Sequence, residues 1–267
     1  RQIVAVGGNP QRIALLDNFC WGNPDKPDRL GGLVRCAQGC YQAAVEYGAP
    51  FISGKDSLYN EYAEGGESIA IPGTILISAI GIMDDVSKAV TMDLKKEGNL
   101  LYIVGLTRDE LGGSVYFDIN GHLGASVPRV DFKQGRAVFE AVYAATQKGL
   151  AASVHDCSDG GMAVALAEMA FSGGLGLEAR LSQVPFEGRD KRNDTLLFSE
   201  THSRLLIEVD PKDQKIFEGI FKGVPFGLIG KVTKAAEVMI YGLDDKTLCV
   251  KGGIKQLKSK WQAPLAW

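Results

Sequence analysis

Apolar residues recur at helical spacing in three stretches of this chain. The first stripe comprises Leu33, Val34, Ala37, Cys40, Tyr41, Ala44 and Val45. The second comprises Ala137, Val138, Ala141, Val142 and Ala145. The third comprises Met162, Leu166, Met169 and Ala170. We therefore predict three helices with one apolar face each, the first over residues 31–48, and a further helix over residues 211–221.

Short apolar runs bounded by turn residues predict the strands. In the first part of the chain they cover residues 13–17, 51–53 and 74–83, with a loop over residues 18–30. In the second part they cover residues 100–104, a run ending at Val154, and residues 175–181, 204–209, 227–233 and 237–240. A polar segment at residues 84–98 separates the two sets. We therefore predict an α+β fold with mixed sheets and two domains, residues 1–97 and 98–267.

The first residues indicate that the chain is part of a longer one. Residues 1–8 have the pattern of a last helical turn that ends at glycine, and there is no initiator methionine. We expect a fragment whose missing residues complete this helix and the sheet of the first domain.

Composition narrows the classes of function. The chain has 267 residues, of which 45% are hydrophobic and 23% charged, and a formal net charge of −3. This balance favours a globular protein and does not favour binding to a nucleic-acid backbone. There is no apolar run of ~18 residues that could span a membrane and no signal peptide, so we expect a cytoplasmic protein. Its five cysteines include no CxxC pair, and we expect them to be reduced.

One polar octapeptide, HDCSDGGM at residues 155–162, lies between a predicted strand and a predicted helix. The free N–H groups and the dipole of a helix start favour an anion. Gly160 and Gly161 would let a ligand approach, and Asp156 would hold a divalent cation that bridges to phosphate. An ordinary cap by Ser158 or Asp159, with the glycines serving a tight turn, remains the alternative.

A second polar run, GKDS at residues 54–57, directly follows a predicted strand. Lys55 could neutralise phosphate, Asp56 could hold Mg²⁺, and Ser57 could donate a hydrogen bond to a substrate oxygen. A polar turn with a weak surface ion pair explains the same residues.

Five strings in this order resemble the phosphoribosylformylglycinamidine synthase family, ATP-dependent amidine-forming ligases of purine biosynthesis. They are LLDNFCWGNP (15–24), SGKDSLYNE (53–61), LGGS (111–114), the octapeptide with its helix ALAEMA (165–170), and LFSETHSR (197–204). The resemblance spans most of the chain. It implies an AIR synthetase (PurM)-like fold, with a truncated N-terminal α/β domain at residues 1–97 and a C-terminal α/β domain at 98–267.

The resemblance also implies roles for residues in the first domain. Asp17 and Gly54 are similar to ATP-binding positions of the family, and Ser57 to a substrate-binding position. One branch of the family has a metal-ligating Asn where this chain has Lys55. Because a cation cannot ligate Mg²⁺, the resemblance implies that metal binding at this loop passes to Asp56 or is lost.

In the second domain the octapeptide is similar to a turn that holds metal and nucleotide in long-form relatives. This implies that Asp156 binds metal. It also implies an ATP-binding set of Ser158, Asp159, Gly160 and Gly161. Glu200 and Thr201 are the counterparts of substrate-binding residues in the other copy of an internal duplication.

The activity implied by the resemblance joins formylglycinamide ribonucleotide (FGAR), ATP and glutamine-derived ammonia into the amidine, with release of ADP and phosphate. ATP and Mg²⁺ would be the cofactors. The partners would be the missing N-terminal half, a glutaminase subunit or domain, and a second copy in a homodimer, with the isolated fragment inactive. Alternatives are a non-catalytic half that only holds nucleotide, or another ATP-dependent enzyme of the same superfamily.

Overall fold

The computed structural model describes residues 1–266, which contain eight α-helices. They are α1 (Gln2–Ala5), α2 (Pro27–Tyr47), α3 (Val115–Ile119), α4 (Phe132–Gln147), α5 (Gly161–Gly173), α6 (Asn193–Phe198), α7 (Gln214–Ile220) and α8 (Ile254–Gln262). None of these described helices combines the length and the apolar content that crossing a membrane requires.

The same residues contain fourteen strands. They are β1 (Ile13–Cys20), β2 (Phe51–Ser57), β3 (Glu61–Glu64), β4 (Glu67–Ala70), β5 (Thr74–Gly81), β6 (Leu100–Val104), β7 (Thr107–Arg108), β8 (Ser153–Asp156), β9 (Gly176–Arg180), β10 (Phe186–Glu187), β11 (Leu205–Val209), β12 (Phe226–Thr233), β13 (Glu237–Tyr241) and β14 (Leu248–Gly253). The α+β class and the mixed sheets predicted from the sequence are confirmed.

The smaller of two compact units, Gly8–Asp84, contains a three-stranded sheet in the order β2-β1-β5. Strand β1 is parallel to β2 and antiparallel to β5. Strands β3 and β4 form a separate hairpin. The loop predicted for residues 18–30 is shorter than expected, because β1 continues to Cys20 and Pro27 starts α2 from the first helical position, where its missing N–H costs nothing.

Helix α2 ends at Gly48, which adopts the left-handed conformation that terminates many helices. No residue of α2 is buried, although its apolar stripe is the one predicted from the sequence. Tyr41 and Val45 on that stripe are exposed. This unit therefore leaves much apolar surface open.

The larger unit comprises residues 1–7 and the chain from residue 85 onward. Its seven-stranded sheet has the order β14-β13-β9-β12-β6-β11-β8. Only the pair β13 and β9 is parallel, and the other neighbours are antiparallel. In this sheet, strands that are hydrogen-bonded to each other seldom follow one another in the sequence.

Both faces of the larger sheet are covered. Leu101 and Ile103 of β6 belong to the same apolar core as Leu166 and Met169 of α5. Because side chains alternate along a strand, Tyr102 points to the other face, where its ring contacts Phe217 of α7 with the centroids 4.7 Å apart. The end of β8 and the start of α5 lie within this well-packed frame.

The unit boundary differs from the predicted boundary at residues 97 and 98. Residues 85–98 belong to the larger unit, and Leu94 is buried within its core. The polar side chains of this segment are largely exposed, while its backbone is attached to the unit because Glu208 accepts from the N–H groups of Lys95 and Lys96 at 2.9 and 3.0 Å. The first seven residues also belong to the larger unit.

Candidate functional site

The octapeptide forms the predicted strand–turn–helix. Strand β8 ends at Asp156, and α5 begins at Gly161. Gly160 and Gly161 both have positive φ, 77° and 67°. A Cβ on Gly161 would lie 2.5 Å from the Ser199 carbonyl oxygen. Close packing against the neighbouring backbone therefore accounts for the second glycine without a ligand.

A guanidinium group already faces the predicted metal ligand. Arg1 Nε donates to Asp156 Oδ2 at 2.9 Å, and Arg1 Nη2 donates to Ser158 Oγ at 2.7 Å. Asp156 is buried. The positive charge that the sequence reasoning assigned to a divalent cation is thus supplied by a side chain of the same unit.

Glu200 binds backbone N–H groups at this turn. Its Oε1 accepts from Gly160 N at 2.9 Å and from Val115 N at 3.0 Å. The carboxylate therefore joins the start of α5 to the start of α3. It uses one of the N–H groups that the sequence reasoning had assigned to phosphate.

Thr201 is buried and holds the adjacent loop. Its hydroxyl accepts from Arg108 N at 3.0 Å and lies 2.9 Å from Ser199 Oγ. The predictions of substrate binding by Glu200 and Thr201, and of ATP binding by Ser158, Asp159, Gly160 and Gly161, remain predictions. The structure brings Glu200 and Gly160 together by a direct hydrogen bond.

His155 lies between two carboxylates at the end of β8. Its Nε2 lies 2.7 Å from Glu168 Oε2, and its Nδ1 lies 3.6 Å from Asp156 Oδ1. Trp261 Nε1 donates to the other oxygen of Glu168 at 2.9 Å. Cys157 is fully buried, and this burial raises the pKa of its thiol, which suits a packed residue and not a nucleophile.

In the smaller unit, Asp17 and Gly54 are neighbours in the parallel register of β1 and β2. A Cβ built on Gly54 would collide with the Asp17 carboxylate. Glycine is therefore required here for the carboxylate to keep its position. Two residues that are 37 positions apart in the chain, and that the sequence reasoning assigned to the same ligand, are thus brought together.

The register divides the polar residues of β2 between two faces. Gly54 and Asp56 share a face with Asp17, whereas Lys55 and Ser57 lie on the opposite face. Accordingly, the Lys55 ammonium donates to the Ser57 hydroxyl. Asp56 is exposed, and the described residues provide no hydrogen bond or ion pair to it.

The face with Asp17 is the one that α2 covers. Burial raises the pKa of the Cys40 thiol in α2, with Cys36 and Asp17 adding to the rise. Among the residues that the structure describes, no three His, Cys, Asp or Glu side chains are grouped so that they could hold a metal ion by themselves.

Sequence reasoning missed two charged residues that organise these sites. Arg1 contacts partners 155 and 157 residues away, and no local pattern signals such a pair. Arg204 is fully buried and donates to Thr201 O and Thr107 Oγ1, both at 3.0 Å, and to Ser199 O. It is the last residue of the string at 197–204, so the motif contained it but gave no sign of its burial.

A mixed seven-stranded sheet covered on both faces, with an acidic strand–turn–helix at one edge strand, defines the AIR synthase class of α+β domain. The chain belongs to the AIR synthase related protein family, because the family model for the C-terminal domain matches residues 96–242. The resemblance deduced from the five strings is confirmed.

Curated relatives extend the match over nearly the whole chain. The chain is 33% identical to phosphoribosylformylglycinamidine synthase subunit PurL of Deinococcus radiodurans, over 99% of this chain and 35% of the relative. It is 38% identical to the PurL subunit of Methanocaldococcus jannaschii, over 86% of this chain and 31% of the relative. The chain thus spans about a third of the length of the curated relatives it matches.

Solved structures agree on the fold. The PurLQS structure from Thermotoga maritima superposes with a TM-score of 0.75 at 18% identity, covering 96% of this chain and 39% of that one. T. maritima PurL complexed with FGAR gives 0.76 at 18% identity, covering 96% and 41%. Hydrogenase maturation protein HypE in complex with ATP gives 0.68 at 15% identity, covering 96% and 78%.

Proposed function

We propose that this chain is one part of a PurL-type phosphoribosylformylglycinamidine synthase, an ATP-dependent C–N ligase of the cytoplasm. Relatives of that name support this at 33% and 38% identity. In the complete protein the γ-phosphate of ATP activates the amide oxygen of FGAR. Ammonia from a glutaminase partner then displaces phosphate, which gives the amidine, ADP and phosphate.

The observation that carries this proposal is the pairing of Asp17 with Gly54. The absence of a side chain at Gly54 lets the Asp17 carboxylate keep its position, where it offers a nucleotide a hydrogen-bond acceptor. We assign ATP to this place. Ser57, on the other face of β2, is assigned to the FGAR side, with Lys55 close enough to neutralise phosphate charge.

Mg²⁺ fits the site at Asp56 better than the turn at Asp156. It prefers carboxylate oxygens, and Asp56 offers an exposed carboxylate without a cationic partner among the described residues. When bound, the ion would neutralise the charge on the ATP phosphates. Asp156 already has Arg1 as its counter-ion. A complete metal site would require further ligands from the rest of the protein or from ATP itself.

The test is calorimetric titration of Mg²⁺–ATP into the native chain and into Gly54→Ala. The added methyl group displaces the Asp17 carboxylate, so we expect affinity to fall by about tenfold or more. Gly39→Ala is the matched control, because a Cβ there meets no atom within 4 Å. Equal affinity in all three proteins would remove Asp17 and Gly54 from the ATP site.

We expect the isolated chain to lack ligase turnover, because the remaining two thirds of the relatives' length have no counterpart in it. The assay supplies ATP, FGAR and an ammonium salt and measures ADP release. Substantial ADP release that depends on FGAR would show that these 267 residues suffice for the reaction.

A further inference from the structure

The turn at residues 156–160 is surrounded by charges from its own unit. On one side, the Arg1 guanidinium donates to both Asp156 and Ser158, at 2.9 and 2.7 Å. The other Asp156 oxygen lies 3.6 Å from His155 Nδ1. Oδ2 of Asp156 is therefore bonded to Arg1, while His155 Nδ1 lies near Oδ1 but beyond hydrogen-bond distance.

On the other side of the turn, the Glu200 carboxylate occupies the position expected for a bound phosphate. Glu200 Oε1 accepts from Gly160 N and Val115 N at 2.9 and 3.0 Å. The next N–H of the turn, that of Gly161, is bonded to the Ser158 carbonyl at 2.9 Å. Two of the N–H groups at the start of α5, those of Gly160 and Gly161, are thus already bonded.

We propose that the side chains of Arg1 and Glu200 occupy the positions that a metal ion and a phosphate oxygen would take at this turn. Arg1 supplies the positive charge in place of a divalent cation, and Glu200 supplies the acceptor in place of a phosphate oxygen. A divalent cation at Asp156 would be repelled by Arg1, and a phosphate at Gly160 would be repelled by Glu200. The native turn is therefore closed to a divalent cation at Asp156 and serves as a structural junction between β8, α3 and α5.

This inference does not depend on the ligase activity, because it concerns only contacts within the larger unit. It opposes the alternative of a scaffold that holds nucleotide at this turn. A failure of ATP binding at Asp17 and Gly54 would leave it unchanged, since those residues lie in the smaller unit.

The test uses Mn²⁺, a paramagnetic divalent cation with oxygen-ligand preferences close to those of Mg²⁺. The readout is broadening of the Ser158 and Gly160 amide resonances during titration of the native chain, Arg1→Gln, Arg1→Gln with Asp156→Asn, and Arg136→Gln. Arg136 is an exposed helix residue paired with Glu140, so its variant removes one positive charge elsewhere in the same unit.

We expect no selective broadening in the native chain or in Arg136→Gln. Arg1→Gln should bind Mn²⁺ at least about tenfold more tightly at this turn, because the guanidinium no longer competes with the metal ion for the Asp156 carboxylate. The added Asp156→Asn should abolish that binding. Native-chain broadening at low Mn²⁺ that Asp156→Asn removes would overturn the proposal, and this measurement decides the question even if Arg1→Gln does not fold.

Discussion

At the scale of single residues, the buried guanidinium of Arg204 organises the loop between α6 and β11. It donates to the carbonyl oxygens of Thr201 and Ser199 and to the hydroxyl of Thr107. Burial lowers the pKa of this guanidinium, while Glu110 and Glu200 favour its charged form. One cation thus holds the loop from which Glu200 reaches the turn.

Arg204→Met should remove these donors and leave buried oxygen atoms without partners. We expect a loss of roughly 3 kcal/mol in the free energy of unfolding, because hydrogen bonds to a charged group are worth more than neutral ones. Urea unfolding followed by circular dichroism measures it. The exposed control Arg136→Met should change stability by no more than about 0.5 kcal/mol. An equal effect in both variants would show that Arg204 has no special structural role.

His202 gives this loop a pH dependence. Burial lowers the pKa of His202 below its ordinary 6.5, and Arg1 and Arg204 act in the same direction against the opposing effect of Glu110. The unfolded chain therefore takes up the proton first as pH falls. The stabilisation that neutral His202 provides is complete above pH 6.5 and is lost as pH falls through the depressed pKa of the folded state.

The urea midpoint of the native chain should therefore decrease between pH 7 and pH 5 more than that of His202→Gln, which cannot titrate. His122→Gln is the matched control, because His122, like His202, is an exposed histidine of the larger unit. If the native chain and His202→Gln lose stability in parallel, His202 does not contribute to the acid sensitivity.

At the scale of elements, Glu208 attaches to the larger unit the polar segment 84–98, which was predicted to be a domain boundary. This fully buried carboxylate of β11 accepts from Lys95 N, Lys96 N, Asn99 Nδ2 and Ser153 Oγ, at 2.7 to 3.0 Å. Apart from Leu94 the segment is not buried, so its composition is that of a linker although its backbone is bonded to the larger unit. Its attachment becomes visible only when the carboxylate, more than a hundred residues away, is placed beside it.

Glu208→Ala should release this segment from the sheet. Hydrogen exchange of the Lys95 and Lys96 amides should then approach the rate of exposed amides, while the amides of β13 and β14 keep their protection. Glu178→Ala on β9 is the control, because within residues 1–266 its carboxylate is paired only with the partly exposed Arg180. Unchanged exchange at Lys95 and Lys96 would show that Glu208 does not hold the segment.

Most long elements could be predicted because their apolar periodicity is local. The strands predicted at 204–209, 227–233 and 237–240 differ from β11, β12 and β13 by one residue at an end. The hairpin of β3 and β4 was missed, although Gly65 and Gly66, both at positive φ, form a typical two-residue turn. Its strands lack an apolar run that would predict them, because they are rich in charged residues and their apolar residues, such as Tyr62 and Ile69, are exposed.

In the candidate sites, too, single residues could be recognised from the sequence, but their distant partners could not. Asp17 and Gly54 were each recognised from their strings, and the parallel pairing of β1 and β2 joins them. The charge at Asp156 was recognised, but its partner was not. Arg1 became its partner because α1 packs in the larger unit beside β8, and that depends on the tertiary fold.

At the scale of the whole molecule, the sheet of the smaller unit leaves an apolar face without a partner. On the face that carries Lys55 and Ser57, the register of β1 and β5 aligns Leu76 and Ile80, which are 61% and 58% exposed. Exposed apolar surface of this kind favours association through the hydrophobic effect. A second copy of the chain can cover it.

We therefore expect the isolated chain to associate with itself as its concentration rises. Sedimentation velocity should show a weight-average mass above the 28.6 kDa of the monomer. Leu76→Ser combined with Ile80→Ser should weaken association by about tenfold or more, because each change removes an exposed apolar side chain from the contact. The matched control is Val86→Ser with Ile119→Ser, which removes two exposed apolar residues from the larger unit. A monomer at all concentrations would show that this face does not bring copies together, and an equal loss in the control would place the contact elsewhere.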